Sequence, residues 1–368
     1  IITIKGDVLN GKAGGATIHL AGLIDANQVD VMGGNEADMI FLDTIFLNGL
    51  VTVKGGEGND TLRVKSLRRT GLFDDGTDEG GGRGLRTAAL TAEGRDGLTL
   101  DGQNGDDRYV FDTEHDLVAG FGLINVADTG TRGIDSMQVN GDDGGDVFVI
   151  NNDTVIGGGA TVKQVGVESL EVNGGAGNDT IFVLATKAGL TTKVSGGLGS
   201  DRVDVAGDVT RSVNAGATAA MFPVQTKLAN VLKGKLVLDG GDNQTAAGDR
   251  LDVDSLTLFN LGSRTNDTGK LTPTDITGLG MSLGINYGKL ESVEVRLGTG
   301  NDKCTVAGTL TTNALHGGLT QIHGGGNSST TTGDTLTATG GGSLLALFGD
   351  APQDGGKYGA AAAGTNFA

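Results

Sequence analysis

The segment GGAGNDTIFV (Gly174 to Val183) constrains this chain more than any other, because it returns. Close versions are GGEGNDTLRV (Gly55 to Val64) and GGLGSDRVDV (Gly196 to Val205). Aligned on the aspartate, the family comprises Asp38, Asp60, Asp107, Asp146, Asp179, Asp201 and Asp302, with Asp249 and Asp334 in versions that carry inserted residues. The shared form is apolar-x-apolar-x, then GGxGxD, then x-apolar-x-apolar. Each flank alternates with period 2, the pattern of a half-buried strand. The middle is a turn: glycine supplies positive φ and close backbone approach, and Asn and Asp accept backbone N–H bonds there. A strand–turn–strand segment cannot bury its apolar row alone, whereas stacked copies build one continuous core.

Spacing selects the architecture. Asp38 to Asp60 and Asp179 to Asp201 are each 22 residues apart, and other intervals reach 47 and 53. An interval near 20 residues suits one coil of a parallel β-helix, so the longer gaps hold either unmarked coils or loops. The fold expected is all-β, a right-handed parallel β-helix or β-solenoid spanning residues 1–368 as one repeat architecture. Two loop insertions interrupt it, at 73–97 and 215–234. The best helical candidate, Ala217 to Leu232, is broken by Pro223. The opening run IITIKGDVL is already strand-like, as in a segment cut from a longer chain.

Composition agrees and narrows the function. Glycine accounts for 68 of 368 residues without a Gly-X-Y period, so it serves turns, and there are only 3 prolines to interrupt strand ladders. The net charge of −18 argues against nucleic acid and anionic membranes and is compatible with a cation that takes oxygen ligands. No apolar run is long enough for a membrane-spanning helix. Cys304 occupies the apolar position held by Leu62 and Ile181 in sister motifs, which reads as a buried core thiol. His19, His115, His316 and His323 are scattered, and a transition-metal pair of His316 with His323 is the weaker reading.

GGxGND followed by x-apolar resembles the calcium-binding repeat of the hemolysin-type (RTX) family. GGEGNDTLR, GGAGNDTIF and GGLGSDRVD carry the likeness. GVESLEVNGGAGNDTIFV and GINYGKLESVEVRLGTGNDKCTV also resemble units of large bacterial surface and secreted β-solenoid proteins. These resemblances imply an extracellular or cell-surface structural protein: an adhesin, surface layer or filament with no reaction of its own. They imply Ca²⁺ at the repeat aspartates, Asp38, Asp60, Asp107, Asp146, Asp179, Asp201, Asp249, Asp302 and Asp334. In the bland alternative, each aspartate ties down its own turn. The partners expected are calcium, further copies of the chain in a fibre or layer, and a cell-surface glycan.

An enzyme of polysaccharides, or a carbohydrate-binding module on the same scaffold, is the competing class. Paired carboxylates exist at Asp74–Asp75, Asp106–Asp107 and Asp142–Asp143, and glycosidases need two. The chain has no Trp and 3 Tyr to form a sugar platform, and it has many equivalent carboxylates where a catalyst needs a singular pair.

Overall fold

The computed structural model describes residues 2–6, 14–65, 68–69, 97–113, 123–210, 213, 225–241, 252–311, 318–326 and 333–349. These residues are all-β, and their strands pair predominantly in parallel. The helical candidate reduces, over its described part, to one 3-10 turn at Ala229–Val231. The loop at 73–97 lies outside the described residues except for Gly97, as does the first half, 215–224, of the insertion at 215–234. No helix of the described residues is long and apolar enough to cross a membrane.

The chain divides into two compact units. In the first (Ile1–Asp142, Asp153–Glu171 and Val213–Ala217), strand Thr17–Gly34 lies parallel to Met39–Glu57. The first part of Met39–Glu57 then stacks on Thr61–Lys65, which stacks on Arg108–Asp112 and then Ser136–Asn140. Register places Ile40, Leu62, Tyr109 and Met137 in one column, each at most 1% exposed. A second line runs from Leu50–Glu57 through Gly97–Asn104 and Leu123–Ala127 to Ala160–Val165. Period-2 alternation therefore becomes columns: every other residue of each strand meets its equivalent on the next and leaves water.

The second unit (Asp143–Asn152, Val172–Ser212 and Thr218–Ala368) repeats the scheme. Strand Val147–Asn152 stacks on Thr180–Thr186, Arg202–Val205, Ser255–Phe259, Ser292–Arg296, Leu319–His323 and Leu344–Phe348, all parallel. Phe148, Ile181, Val203, Leu256 and Val293 form its buried column. Antiparallel pairs are the exception. One is the hairpin Thr154–Gly157 with Ala160–Val165 in the first unit, and the other is the strap Thr268–Leu271, Asp275–Gly278 and Ile285–Gly288 in the second.

Candidate functional site

Where one strand line turns into the next, the repeat aspartates stand in ladders. In the first unit Asp38 Oδ1 accepts the Ala16 N–H (2.5 Å), Asp60 Oδ1 that of Asp38 (2.7 Å), and Asp107 Oδ1 that of Asp60 (2.7 Å). Asp135 then takes the Asp107 N–H (2.8 Å), and a Glu168 oxygen takes that of Asp135 (2.8 Å). In the second unit the same bond links Asp146 to Asp179, Asp179 to Asp201, Asp201 to Asp254 and Asp254 to Glu291, at 2.6–2.8 Å. A shorter ladder runs from Asp267 to Asp302 to Asp334. Each carboxylate thus satisfies a backbone donor of the preceding rung, buried at every step except those from Ala16 and Asp267.

The residue before the aspartate works in the opposite direction. Asn59 Oδ1 accepts the Asp106 N–H (2.9 Å), Asn178 Oδ1 the Ser200 N–H (2.8 Å), and Asn266 Oδ1 the Asn301 N–H (2.9 Å). Asp106 and Ser200 continue this to Ile134 and Val253. Every such step is therefore closed by two reciprocal side-chain bonds, one forward from the Asn position and one back from the Asp. That reciprocity is a physical reason for the order N-D.

The glycines make the room. At Gly196 a Cβ would collide with Asp201 Oδ2 and the Gly240 carbonyl; Gly197 and Gly199 sit at φ 110° and 119° against carbonyls of the preceding rung. The first glycine is thus spared a side chain for the carboxylate, and the other two for turn geometry and close stacking.

Electrostatically the ladder is costly. Asp38, Asp60, Asp107, Asp179, Asp201, Asp254 and Asp302 are at most 2% exposed. Burial pushes the carboxyl of Asp60 up to about 7, Asp107 to about 7, Asp201 to about 6 and Asp254 to about 8. The Oδ2 atoms of Asp60, Asp107, Asp201 and Asp302 are buried without a hydrogen-bond partner among the described residues. Neighbouring carboxylates raise these groups further; the backbone bond to Oδ1 works against burial.

One rung differs. A carboxylate oxygen of Asp107 lies within 4.8 Å of one from Asp128 and one from Asp135. Asp128 is held by the Tyr109 hydroxyl, which donates to Oδ2 (2.6 Å), and by the Gly130 N–H on Oδ1 (2.8 Å). Burial also pushes Asp128 upward, and Asp135 to about 6. Like the ordinary rungs, each of these three carboxylates accepts a backbone N–H on Oδ1, so the corner differs in gathering three acidic groups in one place.

No family model, curated protein or solved structure matches this chain. The residues themselves are the ground for any reading. Of the nine aspartates singled out in the sequence, Asp38, Asp60 and Asp107 are consecutive in one ladder. Asp146, Asp179 and Asp201 are consecutive in another, and Asp302 with Asp334 in the third. Asp249 lies outside the described residues, and Asp254 takes the place after Asp201. The 47-residue interval from Asp60 to Asp107 is a single step carrying extra chain, since the two are bonded neighbours. Sequence reasoning missed Asp135, Asp254, Asp267, Glu168 and Glu291. The acid-x-apolar-x-apolar signal was available for four of them, as in Asp135-Ser-Met-Gln-Val and Glu291-Ser-Val-Glu-Val.

The remaining candidates are placed as follows. Cys304 is 3% exposed, and its thiol is pushed up to about 12 by burial and by Asp302. His323 stacks on Phe348 and pairs with Glu294 at 2.9 Å, while His115 and His316 lie outside the described residues. Asp74 and Asp75 also lie outside them.

Proposed function

We propose that this chain is a structural, right-handed β-solenoid segment of an extracellular or cell-surface protein, serving an adhesin, surface layer or filament, and that calcium stabilises it. The observation that carries the reading is the ladder. One polar contact recurs along parallel strand lines, and its purpose is to hold the chain's own corners. Parallel registers at repeated intervals support the solenoid, since parallel neighbours need a long crossover and stacked turns supply it. The buried Oδ2 atoms of Asp60, Asp107, Asp201 and Asp302, without a hydrogen-bond partner among the described residues of an acidic chain, support a divalent ion, which outside the cell is present at concentrations that fill weak sites. The converging carboxylates of Asp107, Asp128 and Asp135 are 1%, 8% and 5% exposed, so they offer a sugar no open groove. This favours structure over polysaccharide chemistry.

Thermal unfolding in excess chelator and in millimolar Ca²⁺ tests the ion. We expect a higher midpoint with calcium; superimposable curves, with no metal found by elemental analysis, overturn that part. Incubation with polyuronates and neutral glycans tests the class. We expect no new reducing or unsaturated ends, and their release would establish an enzyme.

A further inference from the structure

A half-open cavity of about 190 Å³ lies within the second unit, where the ends of strands Val147–Asn152 and Thr180–Thr186 meet the turn at Ala206 and the segment 225–231. The register between the two strands shifts after Ile150, so Leu184 is an extra residue and Asn151 pairs with Ala185. Such bulges re-aim side chains and gather beside binding sites. Asn152, Ala206 and Lys227, at φ 56°, 58° and 52°, all line the cavity. They are three of the six non-glycine residues with positive φ among the described residues. Costly backbone of that kind concentrates where a ligand is clamped. The far wall is held from behind: Gln225 Oε1 accepts the Val209 N–H (2.6 Å), and Asn260 Oδ1 accepts that of Ala229 (3.0 Å).

The lining specifies the ligand. Leu184 and Val231 supply apolar surface, and Asn151, Asn152 and Gln225 supply three carboxamides. The NH₂ groups of Asn151 and Gln225 and the Oδ1 of Asn152 make no hydrogen bond among the described residues. Lys227 is the one charged residue of the lining, and Asp208 balances it at 2.6 Å. A matching ligand is uncharged, has one apolar face and carries both donors and acceptors on its rim. A sugar ring has all three properties, with C–H groups on one face and hydroxyls at the edge. The volume lies below the roughly 300–1,000 Å³ of pockets for drug-sized ligands, which suits a single ring. We propose that this cavity binds one neutral sugar ring of a glycan, with Asn151, Asn152 and Gln225 meeting its hydroxyls. None of the residues lining it is an acid, so the sugar is held and not cleaved. The proposal goes beyond the structural reading above and does not depend on calcium.

Saturation-transfer NMR of the full chain with the methyl glycosides of glucose, galactose, mannose and N-acetylglucosamine tests the site. We expect at least one glycoside to bind with a millimolar Kd, weak because the wall is aliphatic. Val231→Phe fills the cavity and should abolish the transfer while the melting temperature is kept. Asn151→Ala removes one carboxamide and should raise Kd about tenfold. Transfer that is absent for all four glycosides, or undiminished in Val231→Phe, overturns the proposal and leaves the solenoid and calcium readings intact. So does N-acetylalanine methylamide binding more tightly than every glycoside, since the site then selects a peptide. Should Val231→Phe fail to fold, the Asn151→Ala titration decides, and an unchanged Kd overturns the site.

Discussion

At the scale of the residue, the repeat aspartate reaches further than its own turn. Glycine for the corner and Asp as an acceptor of backbone N–H were both legible in GGxGxD. That the acceptor serves the preceding rung was not, because the donor lies 22, 47 or 53 residues away. Asp254 escaped notice for a related reason: the glycine that spares it room is Gly240, fourteen positions earlier, where the standard motif has five. The contact predicts a contrast at Asp201. Asparagine keeps the oxygen that accepts the Asp179 N–H, removes a buried charge and places an amide near the Gly240 carbonyl. In chelator at about pH 8, where the aspartate is ionised, Asp201→Asn should melt at or above the wild-type temperature. Asp201→Ala leaves a buried donor unmet and should cost about 1–3 kcal/mol. Denaturant unfolding of the two variants measures both, and equal losses would show that the charge itself is needed.

At the scale of the element, alternation made the strands legible: in the flanks of Asp60, Asp107, Asp146, Asp179, Asp201 and Asp302 the alternating positions are buried, whereas after Asp334 Leu336 is half-buried and Ala338 exposed. The columns follow from register: Val183, Val205, Leu258, Val295 and Ile322 meet because a slip of one residue would turn every side chain to the other face. The antiparallel hairpin at Thr154–Gly157 and Ala160–Val165 went unread, although Gly157, Gly158 and Gly159 carry the positive φ angles of its turn. Its strands fit the same period-2 pattern, which does not reveal chain direction. The reading of Cys304 as a core residue does agree with the structure. It stacks between Gly269 and Leu336, with Leu271 and Val306 in the next column. A thiol reagent at neutral pH should therefore leave it unmodified in the folded protein and label it fully in denaturant, as a colorimetric thiol assay would record.

At the scale of the whole molecule, an all-β, parallel-rich chain was legible from the repeat. The extent of the acidic interior was not, because sequence does not show which aspartates are buried. That interior sets the pH response. Asp60, Asp201 and Asp254 titrate near 3.8 when unfolded and at about 6–8 when folded. Below the unfolded value both states hold the proton and stability is full. As pH rises, the unfolded chain releases protons that the folded one retains, and the advantage is lost as the folded groups ionise. Melting temperature in chelator should fall from about pH 4 to about pH 8; a flat or rising profile would contradict these raised carboxyls. The reciprocal Asn–Asp closure has one more consequence. It fixes where consecutive corners meet and leaves the chain between them free to differ, from 22 residues between Asp179 and Asp201 to 53 between Asp201 and Asp254. New sequence can enter such an interval without disturbing either corner. The interval is thus the natural graft point for a foreign loop, and the stretch from Asp179 to Ser200 is a cassette for lengthening the protein by duplication.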